Sequence, residues 1–200
     1  MKSQFGTNVL DTWSLQALDI ITQSALQTER MVEELLEFSR LGQTKMHSTT
    51  VTMSQLVQQV QVELQPELSG RSVYWHIEPL PEVEGDPALV RLVLQNLLSN
   101  AVKYTRDCVE ATIVIGSIEE EQEVIFFVKD NGAGFDMKYQ ERLFRMFQRL
   151  HPQEQFAGTG VGLATVRRLV HRHGGRIWPE GSINQGATFY FSLPKSEALS

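Results

Sequence analysis

Cysteine is scarce in this sequence and long apolar runs are missing from it. The chain has 200 residues and one cysteine, Cys108, so no internal disulfide can form; this is typical of a reducing compartment. No apolar run approaches the roughly 20 residues of a membrane-spanning helix. The N-terminus lacks the apolar core of a signal peptide. We therefore expect a soluble, cytoplasmic chain with no membrane segment.

An excess of basic residues is also missing. The chain has 18 Lys and Arg against 24 Asp and Glu, for a net charge of -6, whereas a nucleic-acid-binding domain shows a basic face. We expect no nucleic-acid partner. The apolar content of 42% is enough for a folded core, and the length suits one domain with an appendage.

Glycine and proline are missing between residues 11 and 41, which allows one long helix there. Small and apolar residues form a seam with 3-4 spacing: Leu18, Ile21, Ala25, Thr28, Val32, Leu35 and Ser39. Such a helix packs either on its own domain or in a bundle between chains. The narrow seam, with no second helix nearby in sequence, favours a bundle between chains.

The rest of the chain alternates short strands with amphipathic helices. We predict strands near 50–53, 73–77, 112–118, 124–129, 176–178 and 188–193, with helices at 54–68, 88–104, after the turn at 130–132, and at 162–173. Asp86 should cap the 88–104 helix and Pro87 should occupy its first turn, after a loop at 80–86. This order predicts a two-layer α/β (α+β) sandwich with a mixed, mostly antiparallel sheet packed on helices. The domains are then 1–45 and 46–200.

Three motifs carry candidate chemistry. The first is on the 88–104 helix, where Asn96 and Asn100 share one face. An Asn carbonyl oxygen suits Mg²⁺, which takes few protein ligands and shares phosphate oxygens. Lys103 adds a point charge. Taken alone, two Asn residues on a helix more often serve as caps or face solvent.

The second motif is Asp130-Asn-Gly132-Ala-Gly134-Phe135, directly after an apolar strand. Glycine lets the backbone approach a flat ligand closely, and an Asp at a strand end can accept a hydrogen bond from an exocyclic amine. A plain Asp-Asn-Gly turn explains the same residues when they are considered alone.

The third motif opens a helix with glycine at alternate positions, in the order Gly158, Thr159, Gly160, Val161, Gly162 and Leu163. Free backbone N–H groups and a helix N-terminus suit a polyphosphate. The spacing argues against a dinucleotide-binding Rossmann turn, and a Walker loop is excluded because the Gly-Lys-Ser/Thr ending is missing.

The three motifs in this order, with Phe144 and Phe147 between the last two, are far more specific than any one. From about Leu18 onward the chain resembles the catalytic and ATP-binding domain of sensor histidine kinases, especially the phytochrome-type sensors. That family belongs to a superfamily with the gyrase and heat-shock chaperone ATPases. The resemblance implies an N box at 97–104, glycine boxes at 130–135 and 158–163, an F box at 144–147 and a last glycine segment at 186–189.

The resemblance also implies the roles of single residues. Asn100 would coordinate Mg²⁺ with support from Asn96, and Lys103 would approach the phosphates of ATP. The remaining residues implied to bind the nucleotide are Tyr104, Asp130, Gly132, Gly134, Phe147, Gly158, Thr159, Gly160, Gly162, Leu163 and Thr188. The segment between Phe147 and Gly158 would be the mobile lid. ATP-hydrolysing relatives carry Glu at the position of Asn96, and an amide is a poor general base. We therefore favour phosphoryl transfer to a protein over hydrolysis.

The chain departs from the family in its histidines. None of its five histidines (His47, His76, His151, His171 and His173) precedes an acidic residue on a helix, as the acceptor of a histidine kinase does. We interpret all five as structural or incidental. The 11–41 helix resembles the second dimerisation helix, so the first helix and its acceptor would be missing, by truncation or in nature.

The full kinase would pass its phosphoryl group to an Asp of a response regulator receiver domain. The alternatives are an ATP-binding pseudokinase that acts as an interaction module, an ATPase of the gyrase or chaperone branch, and a serine-phosphorylating kinase.

Overall fold

The computed structural model describes residues 12–41, 45–68, 70–152, 155–156 and 158–195. The helices are α1 (Thr12–Leu41), α2 (Met53–Leu64), α3 (Pro87–Tyr104) and α4 (Gly162–Arg172). The strands are β1 (Thr49–Thr52), β2 (Val73–Ile77), β3 (Glu82–Gly85), β4 (Ala111–Glu119), β5 (Glu123–Asp130), β6 (Ile177–Ser182) and β7 (Gly186–Pro194). Short 3-10 helices span Gln65–Leu68 and Met137–Arg142.

Five strands form one sheet in the order β2-β4-β5-β7-β6. Only the β2–β4 pair is parallel; the other three pairs are antiparallel. The predicted mixed, mostly antiparallel sheet is therefore confirmed. The β5–β7 register places Asp130 opposite Ala187, so the end of β5 lies beside the start of β7.

Three elements differ from the sequence prediction. The expected loop at 80–86 contains β3, which pairs antiparallel with β1, and Thr50 and Thr52 donate side-chain hydrogen bonds to Glu84 and Glu82. The helix expected to reach residue 68 ends at Leu64 and continues as a 3-10 turn, because Pro66 has no N–H to extend the α-helical pattern. The helix predicted after the 130–132 turn is only the 3-10 helix Met137–Arg142.

The core lies between the large sheet and the helices α2, α3 and α4. The central helix of this layer is α3, which contacts both α2 and α4. It contributes Leu94, Leu97 and Leu98, each at most 1% exposed. From the sheet, the rings of Phe126 and Phe191 stack with centroids 5.4 Å apart. Because α3 is fixed along its whole buried side, the side chains on its remaining face are held in defined positions.

Helix α1 presents two different stripes. Met31, Glu34, Phe38 and Leu41 are half-buried at 3-4-3 spacing, whereas every residue of the predicted seam is exposed. Ile21, for example, is 64% exposed and Val32 50% exposed. The bundle therefore remains a prediction. None of the described helices is both long enough and apolar enough to cross a bilayer.

The N-terminus of α3 yields a stability prediction. Asp86 caps this helix as expected, accepting hydrogen bonds from the backbone N–H groups of Ala88 and Leu89, and it also accepts one from His47 N–H. Replacing Asp86 with Ala should lower the free energy of unfolding in urea by about 1–2 kcal/mol, the usual cost of a lost cap. Asp107→Ala, an exposed aspartate, should have little effect; equal losses in the two variants would contradict the capping role.

Candidate functional site

A cavity of about 560 Å³ opens between α3, the start of α4 and the adjoining ends of β5 and β7. That volume suits a small-molecule ligand. The predicted site residues that line it are Asn96, Asn100, Lys103, Tyr104, Asp130, Gly134, Gly158, Thr159, Gly160, Gly162 and Leu163. The fold thus brings the three sequence motifs together around one space.

Helix α3 supplies the polar face of the cavity. Asn96, Asn100 and Lys103 are spaced 4 and 3 apart in sequence, so their side chains leave the helix on the same side. The Asn96 amide nitrogen donates to Leu92 O at 2.8 Å, which leaves its oxygen directed toward the glycine loop, residues 158–162. That oxygen lies 2.5 Å from the place where a Cβ on Gly162 would stand. Within the described residues, no hydrogen bond engages the Asn100 side chain.

Asp130 lines the cavity where the end of β5 lies beside the start of β7. It is 5% exposed, and it accepts hydrogen bonds from the backbone N–H groups of Gly132, at 2.8 Å, and Ala187. Burial raises the pKa of Asp130 to about 6, although the two backbone hydrogen bonds pull it down. Gly132 holds this turn against the end of α3, where a Cβ would stand 2.4 Å from the Tyr104 carbonyl oxygen. The Asp130 carboxylate is therefore shielded from solvent, and it favours a ligand that donates a hydrogen bond.

The opposite end of the cavity is cationic. Burial first, and then the nearby Arg149 guanidinium, lower the pKa of Lys103 to about 8. Glu34 and Glu67 act in the other direction, because their negative charges favour the protonated amine. The Lys103 Nζ also lies 4.5 Å from the centroid of the Tyr104 ring. An anion brought to this end would meet two cations in a partly desolvated space.

The glycine loop places backbone N–H groups beside these cations. Gly160 has a φ of 80°, a conformation that side-chain-bearing residues rarely adopt, and its carbonyl oxygen accepts a hydrogen bond from Phe147 N–H at 2.9 Å. Gly162 then begins α4, whose first N–H groups have no partners within the helix. Loop and helix N-terminus together form a site suited to an anion.

Three predicted site residues lie outside the cavity wall. Gly132 acts from behind it, through the turn that holds Asp130. Thr188 belongs to the opposite face of β7, because its neighbours Ala187 and Phe189 line the cavity and strand side chains alternate. Phe147, at a φ of 60° and 44% exposed, fixes the loop through its backbone. For Thr188 and Phe147 the role in nucleotide binding stays a prediction, and neither side chain lines the cavity.

The sequence analysis missed an aromatic cluster in the segment between Phe147 and Gly158, which it predicted only as a mobile lid. The His151 ring lies 5.4 Å from Tyr104 and 5.3 Å from Phe156, and Phe156 is 2% exposed. His151 Nε2 is 2.8 Å from Gly134 O, and His151 and Arg149 both line the cavity. The contact with Tyr104 joins segments far apart in the chain, so no spacing in the sequence indicates this cluster.

Helix α1 closes part of the cavity, which the sequence did not indicate either. Glu34, Glu37, Phe38 and Leu41 line it, and the Thr159 hydroxyl donates a hydrogen bond to the Glu34 carboxylate. Two acidic side chains of α1 thus stand in the cavity wall, in addition to Glu67 near Lys103.

Residues 85–197 match the family described as Histidine kinase-, DNA gyrase B-, and HSP90-like ATPase. The chain belongs to that family. Its similar relatives include cyanobacterial phytochrome B of Nostoc sp. PCC 7120, 34% identical over 92% of this chain and 25% of the relative. The adaptive-response sensory kinase SasA of Synechocystis sp. PCC 6803 is 33% identical over 83% of this chain and 44% of the relative. The chain thus spans less than half the length of either.

Solved structures agree with this assignment. Full-length ShkA in complex with AMPPNP superposes with a TM-score of 0.71 and 28% identity, covering 92% of this chain and 39% of that protein. The histidine kinase ThkA in complex with the response regulator protein TrrA shares the fold, with a TM-score of 0.72 at 24% identity over 97% of this chain and 55% of that protein. The resemblance drawn from the sequence is confirmed: the chain carries an ATP-binding domain of the histidine kinase type.

Burial of Asp130 predicts an unusual pH dependence of stability. Its pKa in the folded chain, about 6, lies above the ordinary value of 3.8, so ionisation favours the unfolded chain. This group's contribution to stability is complete below pH 3.8 and is lost as the pH rises through 6. Asp130→Asn should therefore raise the free energy of unfolding at pH 7.5 by about 2–3 kcal/mol, and the gain should shrink toward pH 4.5.

Urea unfolding of both proteins between pH 4.5 and 8 checks this prediction. Asp107→Asn, which removes an exposed carboxylate, serves as the control and should show a small difference that hardly varies with pH. A stability difference for Asp130→Asn that stays constant across the range would contradict the raised pKa.

Proposed function

We propose that this domain transfers the γ-phosphoryl group of ATP to a histidine on a dimerisation helix, from which a response regulator aspartate receives it. The observation that carries the proposal is the polarity of the cavity. A desolvated carboxylate, Asp130, lines one end, while Lys103, Arg149 and the α4 N-terminus make the other end positive. ATP has the matching polarity, with amine donors at the base and negative charge at the phosphates.

Asp130 would accept a hydrogen bond from the exocyclic amine of adenine. Its two backbone donors fix the carboxylate, so the geometry is set before the nucleotide enters. Tyr104, whose ring borders Asp130 and His151, would pack against the base. A base that presents a carbonyl oxygen at that position, as guanine does, would face the carboxylate with an acceptor and be disfavoured.

Magnesium fits the donor set on α3. The described residues contain no group of three or more His, Cys, Asp or Glu that could hold a metal. Mg²⁺ needs no such cage, because it takes one or two protein oxygens and completes its shell with phosphate oxygens and water. We propose Asn100 as the protein ligand and Asn96 as its support. Bound there, Mg²⁺ would neutralise charge on the phosphates.

The identity of Asn96 supports transfer over hydrolysis. Its amide nitrogen is bound to Leu92 O, and an amide cannot take a proton from water as a carboxylate can. Phosphoryl transfer depends on positioning and charge neutralisation more than on covalent help from the protein. Lys103 and Arg149 would supply the neutralising charge beside the γ-phosphate.

The acceptor would come from outside the described chain. His173 is committed to structure, since its ring nitrogens contact Leu169 O and Asp86 N–H. His151 lies in the cavity wall. We propose α1 as the second helix of a dimerisation domain, with its exposed seam joining a bundle in a homodimer and the acceptor on the helix before it. A response regulator as the next partner is supported by the complex of ThkA with TrrA.

Labelled ATP and Mg²⁺, incubated with this chain and a separate dimerisation domain from a related kinase, test the proposal. We expect an acid-labile, base-stable phosphate on the acceptor's histidine. Sustained phosphate release without acceptor would favour an ATPase, and an acid-stable phosphoprotein a serine kinase. Nucleotide binding without transfer to any of several acceptors would favour a pseudokinase. Each of these three results would overturn the proposal.

The magnesium role has its own prediction. Asn100→Ala should weaken ATP binding in the presence of Mg²⁺ by about 10- to 100-fold, which corresponds to roughly 1.4–2.8 kcal/mol. Binding measured in EDTA should change little, because the base and phosphate contacts stay in place. Calorimetry with the matched variant Gln59→Ala, an exposed amide on α2, provides the control. An equal loss with and without Mg²⁺ would show that Asn100 does not act through the metal.

A further inference from the structure

The C-terminal part of α1 contacts the catalytic layer (the large sheet with α2, α3 and α4) through three residues that line the cavity. Thr159 donates its hydroxyl hydrogen bond to Glu34. One turn later the Phe38 ring lies 4.4 Å from the Arg168 guanidinium carbon. Arg172 then donates to the Leu41 carbonyl oxygen. We call Glu34, Phe38 and Leu41 the α1 contact. It joins α1 to the glycine loop and to α4.

Within this contact, Glu34 lies in the part of the cavity suited to an anion. Its acceptor oxygen is bound to the glycine loop that precedes α4, and its charge favours the protonated form of Lys103. A carboxylate is itself an anion, so it uses the donors that a phosphate would use. Glu37 lines the same wall and adds a second negative charge.

We propose that Glu34 is an internal competitor for the phosphates of the nucleotide, so that ATP binding and the α1 contact exclude each other. The inference rests on the proposed function, because it takes the phosphates to lie at the α4 end of the cavity. A triphosphate there would be repelled by Glu34 and would take over Thr159 and Lys103. Binding of ATP then releases α1 from the catalytic layer.

The α1 contact is small enough to be reversible. The half-buried stripe of α1 consists of a few side chains, and one of its contacts is a ring beside a guanidinium, which is a weak interaction. Because coupling between two binding events is reciprocal, whatever ATP does to the α1 contact, the contact does to ATP affinity. Removing the charge of Glu34 should therefore tighten nucleotide binding.

The test compares nucleotides that differ only in phosphate charge. Glu34→Gln keeps the shape and the hydrogen-bond acceptor of the side chain but removes its charge. We expect it to tighten ATP·Mg²⁺ binding by about 5- to 10-fold, ADP binding less, and adenosine binding by under about 2-fold, because adenosine brings no phosphate. Glu33→Gln makes the same change in net charge on an exposed position that does not line the cavity, and should leave all three affinities unchanged.

A second measurement follows the helix directly. In a Cys108→Ser background, spin labels at Arg30→Cys on α1 and Val62→Cys on α2 report the distance between the helix and the catalytic layer. Added ATP·Mg²⁺ should broaden or lengthen this distance, while adenosine should not. Phe38→Ala, which removes a second part of the contact, should broaden it without nucleotide.

Failure of this inference is distinguishable from failure of the proposed function. If the unaltered chain binds ATP with the same affinity as Glu34→Gln, and the label distance ignores ATP, the competition is overturned while the nucleotide site stands. If none of the proteins binds ATP, the proposed function and the inference fall together. Tighter ATP binding in Glu33→Gln as well would reduce the effect to net charge and overturn the role of Glu34.

Discussion

Desolvation of two opposite charges in one cavity is the constraint on which this site depends. Burial moves the pKa of Asp130 up to about 6 and that of Lys103 down to about 8, so each group is pushed toward its neutral form. Burial destabilises the ionised form of each group. A ligand that offers a hydrogen-bond donor at one end and negative charge at the other stabilises these ionised forms again. The cavity therefore selects for a polar, elongated ligand, and ATP meets both conditions.

The walls of the cavity stay close together because glycine stands where segments cross. A Cβ on Gly134 would lie 1.9 Å from Ser182 O, one on Gly132 would lie 2.4 Å from Tyr104 O, and one on Gly162 would lie 2.5 Å from Asn96 Oδ1. Each crossing joins a glycine motif to another element of the site. The motifs are thus parts of one packing arrangement, which explains why their combination in a sequence is so much more specific than any one of them.

What could be predicted from the sequence follows from the range of the forces involved. Helix α3 and strands β4 and β5 are local patterns of apolar periodicity and capping, and they were predicted to within about a residue. Strand β3 was missed because it exists through pairing with β1, far away in sequence. The direction of the Thr188 side chain, away from the cavity, could have been inferred because side chains alternate between the two faces of β7. By contrast, the contact between the His151 and Tyr104 rings and the position of Glu34 depend on tertiary packing that no spacing encodes.

The two stripes of α1 can serve two different contacts at the same time, one with the catalytic layer and one with a bundle partner. Its half-buried stripe (Met31, Glu34, Phe38 and Leu41) is offset from the exposed seam by about one residue, and hence by roughly 100° around the axis. A partner on the seam therefore need not displace the α1 contact, whereas an anion at the glycine loop must compete with Glu34. The nucleotide and the bundle partner would then act on different sides of α1. The helix could therefore transmit a change at one side to the other, although the nucleotide and the partner do not touch.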